Sequence, residues 1–122
     1  MPKQYKIYFD DILDASTKIE GYVKGLSYEE FVKNSLVVDG VIRNLAIIGE
    51  AVKKIPSEVK KKCADIEWKK IAGLRDIIVH KYSAVNLKII WDIVKNKLPE
   101  LRKSIKRSVE EYERAKSNEG IA

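Results

Sequence analysis

The chain has one histidine, one cysteine and one methionine among its 122 residues, and only three prolines and six glycines. Each scarcity closes off a class of protein. A lone cysteine, Cys63, cannot form an internal disulfide, so a reducing cytoplasm is the expected setting. One histidine and one cysteine cannot build a zinc-ligand cluster, and no His-Glu-x-x-His pair is present, so a zinc hydrolase is disfavoured and no metal or cofactor is expected. The glycines never gather into a phosphate-cradling loop, which argues against an NTPase. No apolar run reaches the length of a membrane span, and Met1-Pro2-Lys3-Gln4-Tyr5 lacks the apolar core of a signal peptide. Without a linker, an internal repeat or a low-complexity stretch, residues 1–122 read as a single domain.

What the chain does have is charge and helical periodicity. Lysine and arginine number 24 against 18 acids, giving a net charge of +6 and a sequence pI near 9.3. That balance suits an anionic partner, nucleic acid first among them, though most of the excess is lysine spread along helices rather than one dense arginine block. Apolar residues recur at three and four throughout, and no segment alternates as a strand does. Tyr5, Tyr8, Ile12, Ala15, Ile19 and Tyr22 predict a helix from about Tyr5 to Lys24, ended by Gly25. Ser27 with Glu30 reads as a capping box opening a short helix through Asn34.

Val38, Val41, Leu45, Ile48, Val52 and Ile55 predict a second long helix ending before Pro56, with Gly49 marking close approach of a neighbour. A short basic helix follows from Glu58 to Cys63 or Ala64. Asp65 is the expected cap of the next, which sends Trp68, Ile71, Leu74 and Ile78 to the core. Ser83-Ala84-Val85-Asn86 supplies a turn and a cap. The last helix runs from Leu87 to about Lys116, with a kink or restart at Pro99 and a frayed tail over 117–122. The expected fold is all-α, a four- to five-helix up-and-down bundle.

The only histidine falls within Arg75-Asp76-Ile77-Ile78-Val79-His80-Lys81-Tyr82. Arginine grips phosphate in a planar fork, and histidine moves protons near neutral pH. On a helix, Asp76 and His80 are four apart and share a face, so the carboxylate can orient the imidazole. Arg75 and Tyr82, seven apart, are nearly aligned two turns from each other. These groups suit the cleavage of a phosphodiester, which without a metal needs both an acid and a base. One histidine supplies one of the two. Asp76, Tyr82 or water fills the other role, or a second chain brings its own His80. Blander roles stay open: Arg75 and Asp76 as partners of neighbouring helices, His80 as a surface or capped residue, Tyr82 as a half-buried anchor. Trp68 and Trp91 are expected in the core rather than as base-stacking platforms.

The stretch from Trp68-Lys69-Lys70-Ile71-Ala72-Gly73-Leu74 through Arg75 to Tyr82 resembles the signature of the HEPN superfamily, in its HepT-like branch. Asp39-Gly40-Val41-Ile42-Arg43-Asn44-Leu45 and on to Ala51 resembles the second helix of that family. Trp91 and Leu98-Pro99-Glu100-Leu101 match its last helices. The resemblance implies an all-helical, homodimeric, metal-independent endoribonuclease, the toxin of a type VII toxin–antitoxin pair whose antitoxin is an MntA-like nucleotidyltransferase. It implies Arg75 and His80 as the catalytic pair at the dimer interface, with Asp76 as the polar residue beside the arginine. It also implies Tyr82 as the residue that the antitoxin modifies with AMP. The alternative is a non-catalytic HEPN subunit that only binds such a nucleotidyltransferase.

Overall fold

A computed structural model describes residues 3–73 and 86–121, with the backbone alone at residues 3, 116 and 118–121. All regular structure among the described residues is helical. Helix α1 spans Lys3–Val23, α2 Tyr28–Lys33, α3 Ser35–Lys54 and α4 Ser57–Lys61. Residues 68–73 are helical again. Helix α5, Leu87–Asp92, passes through a π-helical turn, Ile93–Lys97, into α6, Leu98–Ile121.

Helix α1 is the hub, packed against both α3 and α6. It runs antiparallel to each. Tyr22 lies against Gly40 and Tyr8 lies under Lys54, while Glu20 pairs with Arg102 and Lys6 with Glu113. The expected up-and-down bundle is therefore present. Phe9, Ile12 and Ile19 from α1 meet Val41 and Val52 from α3 and Ile105 from α6, all fully buried. Burial of this kind, at about 25 cal/mol per Å² of apolar surface, is the main force holding such a bundle. Among the described residues the two buried polar side chains are both satisfied: Ser16 donates to the Leu13 carbonyl at 2.9 Å and Asn44 to that of Gly40 at 2.8 Å.

The stripe predicted for α3 is buried at all six positions. That of α1 is displaced at one edge. Phe9 and Val23 are buried, whereas Tyr22 is 42% exposed and covers Gly40 with its ring. A Cβ at Gly40 would come 3.1 Å from that ring, tighter than an ordinary contact. Gly49, the position expected to mark a close approach, is buried in the same helix. Gly25 adopts φ +77°, the left-handed conformation that ends α1.

The capping box is formed: Ser27 Oγ accepts from the Glu30 amide and Glu30 Oε1 from the Ser27 amide, both at 3.1 Å. Asn34 closes α2 and opens α3, its Oδ1 accepting from the Val37 amide at 3.1 Å. Helix α2 is only six residues long and delivers Phe31 to the core. Ser27→Ala should cost about 1 kcal/mol of stability, the usual loss on removing an N-cap, read as a lower urea midpoint. An unchanged midpoint would deny the cap any part in holding Phe31.

The irregularity expected at Pro99 is present: a new α-helical stretch begins at Leu98, directly before it. The π turn takes up the irregularity just before it, with the Leu98 amide donating to the Ile93 carbonyl five residues back. Proline has no amide to give and crowds the carbonyl four residues earlier, so the wider turn provides room where an α-turn would clash. It also keeps Ile90, Val94 and Leu98 buried together. In an uninterrupted α-helix, eight residues overshoot two full turns by about 80°. Helix α6 then continues to Ile121, past the expected end near Lys116.

Candidate active site

Arg75, Asp76, His80 and Tyr82 all fall within 74–85, outside the described residues. So do Leu74 and Ile78, expected in the core, and the Ser83-Ala84-Val85 break. The structure instead defines the two posts between which this segment is strung.

The entry post is built around Trp68. Helix α4 stops at Lys61, short of its expected end, and turns carry the chain through Asp65 to Ile66. Trp68 is 9% exposed, its ring meeting that of Phe9 edge-on at 5.9 Å. Its Nε1 donates to the carbonyls of both Lys60 and Cys63 at 3.1 Å, so a buried indole proton is satisfied by the preceding turn. The Ile71 amide donates to the Glu67 carbonyl at 3.2 Å, opening the helical residues that lead toward Arg75.

Asp65 does not cap that helix. Its carboxylate pairs with Arg107 on α6, tying the turn to the bundle. Glu67 occupies the position before the helix, and its side chain pairs with Lys70 at 2.7 Å. The hydrogen bond from Lys70 holds the Glu67 carboxyl below the ordinary carboxylate range, and the same bond raises the Lys70 ammonium.

The exit post is Asn86. Its Oδ1 accepts from the Lys88 amide at 2.9 Å and caps α5. Ile90 is buried below it, and half-buried Trp91 packs on Phe31 at 5.0 Å and Tyr28 at 6.1 Å. Both tryptophans thus serve the packing, as expected. Twelve residues of sequence, 74–85, separate the two posts.

Among the described residues there is no cluster of three or more His, Cys, Asp or Glu able to hold a metal. None of the described helices is long and apolar enough to cross a membrane. Cys63 is half-buried, accepting from Ser108 Oγ at 3.3 Å. It shares a half-open cavity of about 190 Å³ with Phe9, Tyr112 and Lys62. One grouping escaped the sequence reading: the two bonds from Trp68 tie the backbone of Lys60 and Cys63 to the residue that precedes Lys69 and Lys70. The clue was there in the chain, as five lysines between residues 60 and 70.

The family model described as "Ribonuclease HepT-like" matches residues 12–108, a range that contains the whole of 74–85. A Methanocaldococcus jannaschii protein, named as a gamma-glutamylcyclotransferase and provisionally as an RNase, is 39% identical over 118 residues. That alignment takes in 97% of this chain, which spans about half (53%) of that relative's length. A provisionally named RNase of Caldanaerobacter subterraneus is 42% identical over 99 residues, 81% of this chain and 88% of the relative. A Thermococcus cleftensis protein provisionally named ribonuclease HepT is 35% identical over 102 residues, 84% of this chain and 93% of the relative. No solved structure matches at a significant level. The all-helical bundle, the two posts around Arg75–Tyr82 and a family match over 12–108 agree: the chain belongs to the HepT-like ribonuclease family.

Proposed function

We propose that this protein is a metal-independent endoribonuclease that works as a homodimer and is the toxin of a toxin–antitoxin pair. The observation that carries the reading is the Arg75-Asp76-x3-His80-x-Tyr82 sequence inside the matched family range. Arg75 stabilises the charge that builds on the phosphorus oxygens in the transition state. His80 transfers a proton, and Asp76 orients its ring. The ribose 2′-hydroxyl attacks the adjacent phosphorus as its proton leaves to a base. The P–O5′ bond breaks and the departing oxygen is protonated, giving a 2′,3′-cyclic phosphate and a 5′-hydroxyl. Two proton transfers and one histidine per chain favour a site completed by a second His80. Ile89, 58% exposed one turn beyond Asn86 and seven residues after Tyr82 in sequence, offers an apolar contact for a second copy.

Tyr82 is the proposed point of control. A nucleotidyltransferase antitoxin would move AMP from ATP to the phenolic oxygen, releasing pyrophosphate. The added phosphate places negative charge and bulk next to a site meant for an RNA phosphate. Protein carrying AMP on Tyr82 is therefore expected to be silent, whereas Tyr82→Phe should escape silencing, its own mass unchanged after incubation with antitoxin and ATP.

The direct test is incubation of unmodified protein with single-stranded RNA in EDTA, followed by analysis of the new ends. Cyclic phosphate ends are the expected result. No cutting by unmodified dimer would transfer the protein to the alternative, a non-catalytic subunit that binds a nucleotidyltransferase.

A further inference from the structure

We infer that the turn Lys60–Lys62, together with Lys69, is a docking surface for the phosphodiester backbone of the RNA substrate. The inference rests on the ribonuclease reading above and adds to it where the strand lies outside the reacting phosphate.

Four observations carry it. Residues 60–70 hold five lysines against two acids, a net of +3 out of the chain's +6 in eleven positions. Both acids are already engaged, Asp65 by Arg107 and Glu67 by Lys70. Lys60, Lys61, Lys62 and Lys69 make no ion pair with any described residue, and all but half-buried Lys60 are exposed. Several cations elsewhere are engaged by the fold: Lys6 by Asp10 and Glu113, Lys18 by Asp14, Arg102 by Glu20.

The placement matters as much as the charge. Trp68 donates to the carbonyls of Lys60 and Cys63, pinning the lysine turn against the start of the helical residues that run toward Arg75. Lys69 is the next residue along and lies six positions before Arg75. Lys97, in the π turn, is close enough to Glu67 to help lower its carboxyl, after the larger effect of Lys70, and adds to the same positive field. Backbone carbonyls fix the turn while the ammonium groups stay free. That arrangement suits sequence-independent contact with phosphates, because lysine acts as a flexible point charge.

Each lysine that neutralises a phosphate on a single strand contributes about 0.7 to the slope of log affinity against log salt. Replacing Lys61, Lys62 and Lys69 by glutamine should lower that slope by about 2 and weaken binding up to about 100-fold near 0.1 M salt. The probe is fluorescein-labelled 2′-O-methyl oligouridine, which lacks the free 2′-hydroxyl and so cannot be cut by the proposed route. Anisotropy is recorded over a salt series for wild type and for Lys61→Gln/Lys62→Gln/Lys69→Gln. The control, Lys24→Gln/Lys33→Gln/Lys103→Gln, removes the same charge toward the α2 end of the bundle. Unchanged tryptophan fluorescence shows that Trp68 still seats the turn.

A loss of slope and affinity confined to the first variant supports the docking surface. Equal losses in both variants overturn it, since net charge alone would then explain binding. Unchanged RNA binding by the first variant also overturns it, and leaves the lysines to an acidic protein partner. A parallel cleavage assay with natural RNA separates the two readings. Wild type that cuts RNA while the lysine variant binds normally refutes only the docking surface. Wild type that neither binds nor cuts removes the ribonuclease reading itself.

Discussion

His80→Ala is expected to lower RNA cleavage by roughly 10²–10⁴-fold, the range contributed by a positioned proton-transfer group, with helical content and RNA affinity unchanged. The size follows from the inventory. The chain has a single imidazole, and no other side chain titrates near neutrality without a large perturbation. In the proposed mechanism His80→Ala removes proton transfer and leaves Arg75 to hold phosphate, so turnover should fall while binding of the 2′-O-methyl probe persists. Cleavage within a fewfold of wild type by the purified variant would end the assignment of His80. Loss of binding along with cleavage would point to a recognition role instead.

Trp68→Ala should have the largest effect on stability, about 3–5 kcal/mol, as for other buried aromatic truncations. Three things are lost together: the buried indole, its edge contact with Phe9, and the donor shared by the Lys60 and Cys63 carbonyls. Trp68→Phe separates them. It keeps most of the ring and gives up the donor, so about 1–2 kcal/mol should go, the cost of leaving polar atoms without a partner. Urea unfolding of the three proteins reads both differences. A Trp68→Ala midpoint close to wild type would mean that the entry post is not held by this side chain.

The parts of the fold that were legible in the sequence are those decided locally. The α3 stripe and the Ser27–Glu30 box depend on residues three or four apart, and both are present as read. The α1 stripe was misplaced at one edge because Tyr22 is apolar enough to fit the pattern, yet its ring packs over Gly40 at the surface. Asp65 looked like a cap because it precedes a helix. Its actual partner, Arg107, is 42 residues away, and no local pattern could reveal it. The lysines at 60–70 were legible as a local cluster, but the two bonds from Trp68 that fix their turn were not, because indole donors follow no sequence period. The candidate site shows the reverse balance. Its residue types and spacing were readable from eight consecutive residues, whereas their positions fall outside the described part of the structure.

The wide turn at Ile93–Lys97 has a consequence for how relatives are compared. It gives this helix one residue more than a regular α-helix would use to join the same two faces. A relative whose helix is regular throughout will therefore need one residue fewer between its counterparts of Ile90 and Leu98 to keep both inward. An ungapped alignment across that stretch will put one half of the helix a residue out of structural step. Counting back from α6 would then misnumber everything upstream, including the counterparts of His80 and Tyr82. The gap belongs inside the turn, where an added or lost residue leaves both buried faces in place.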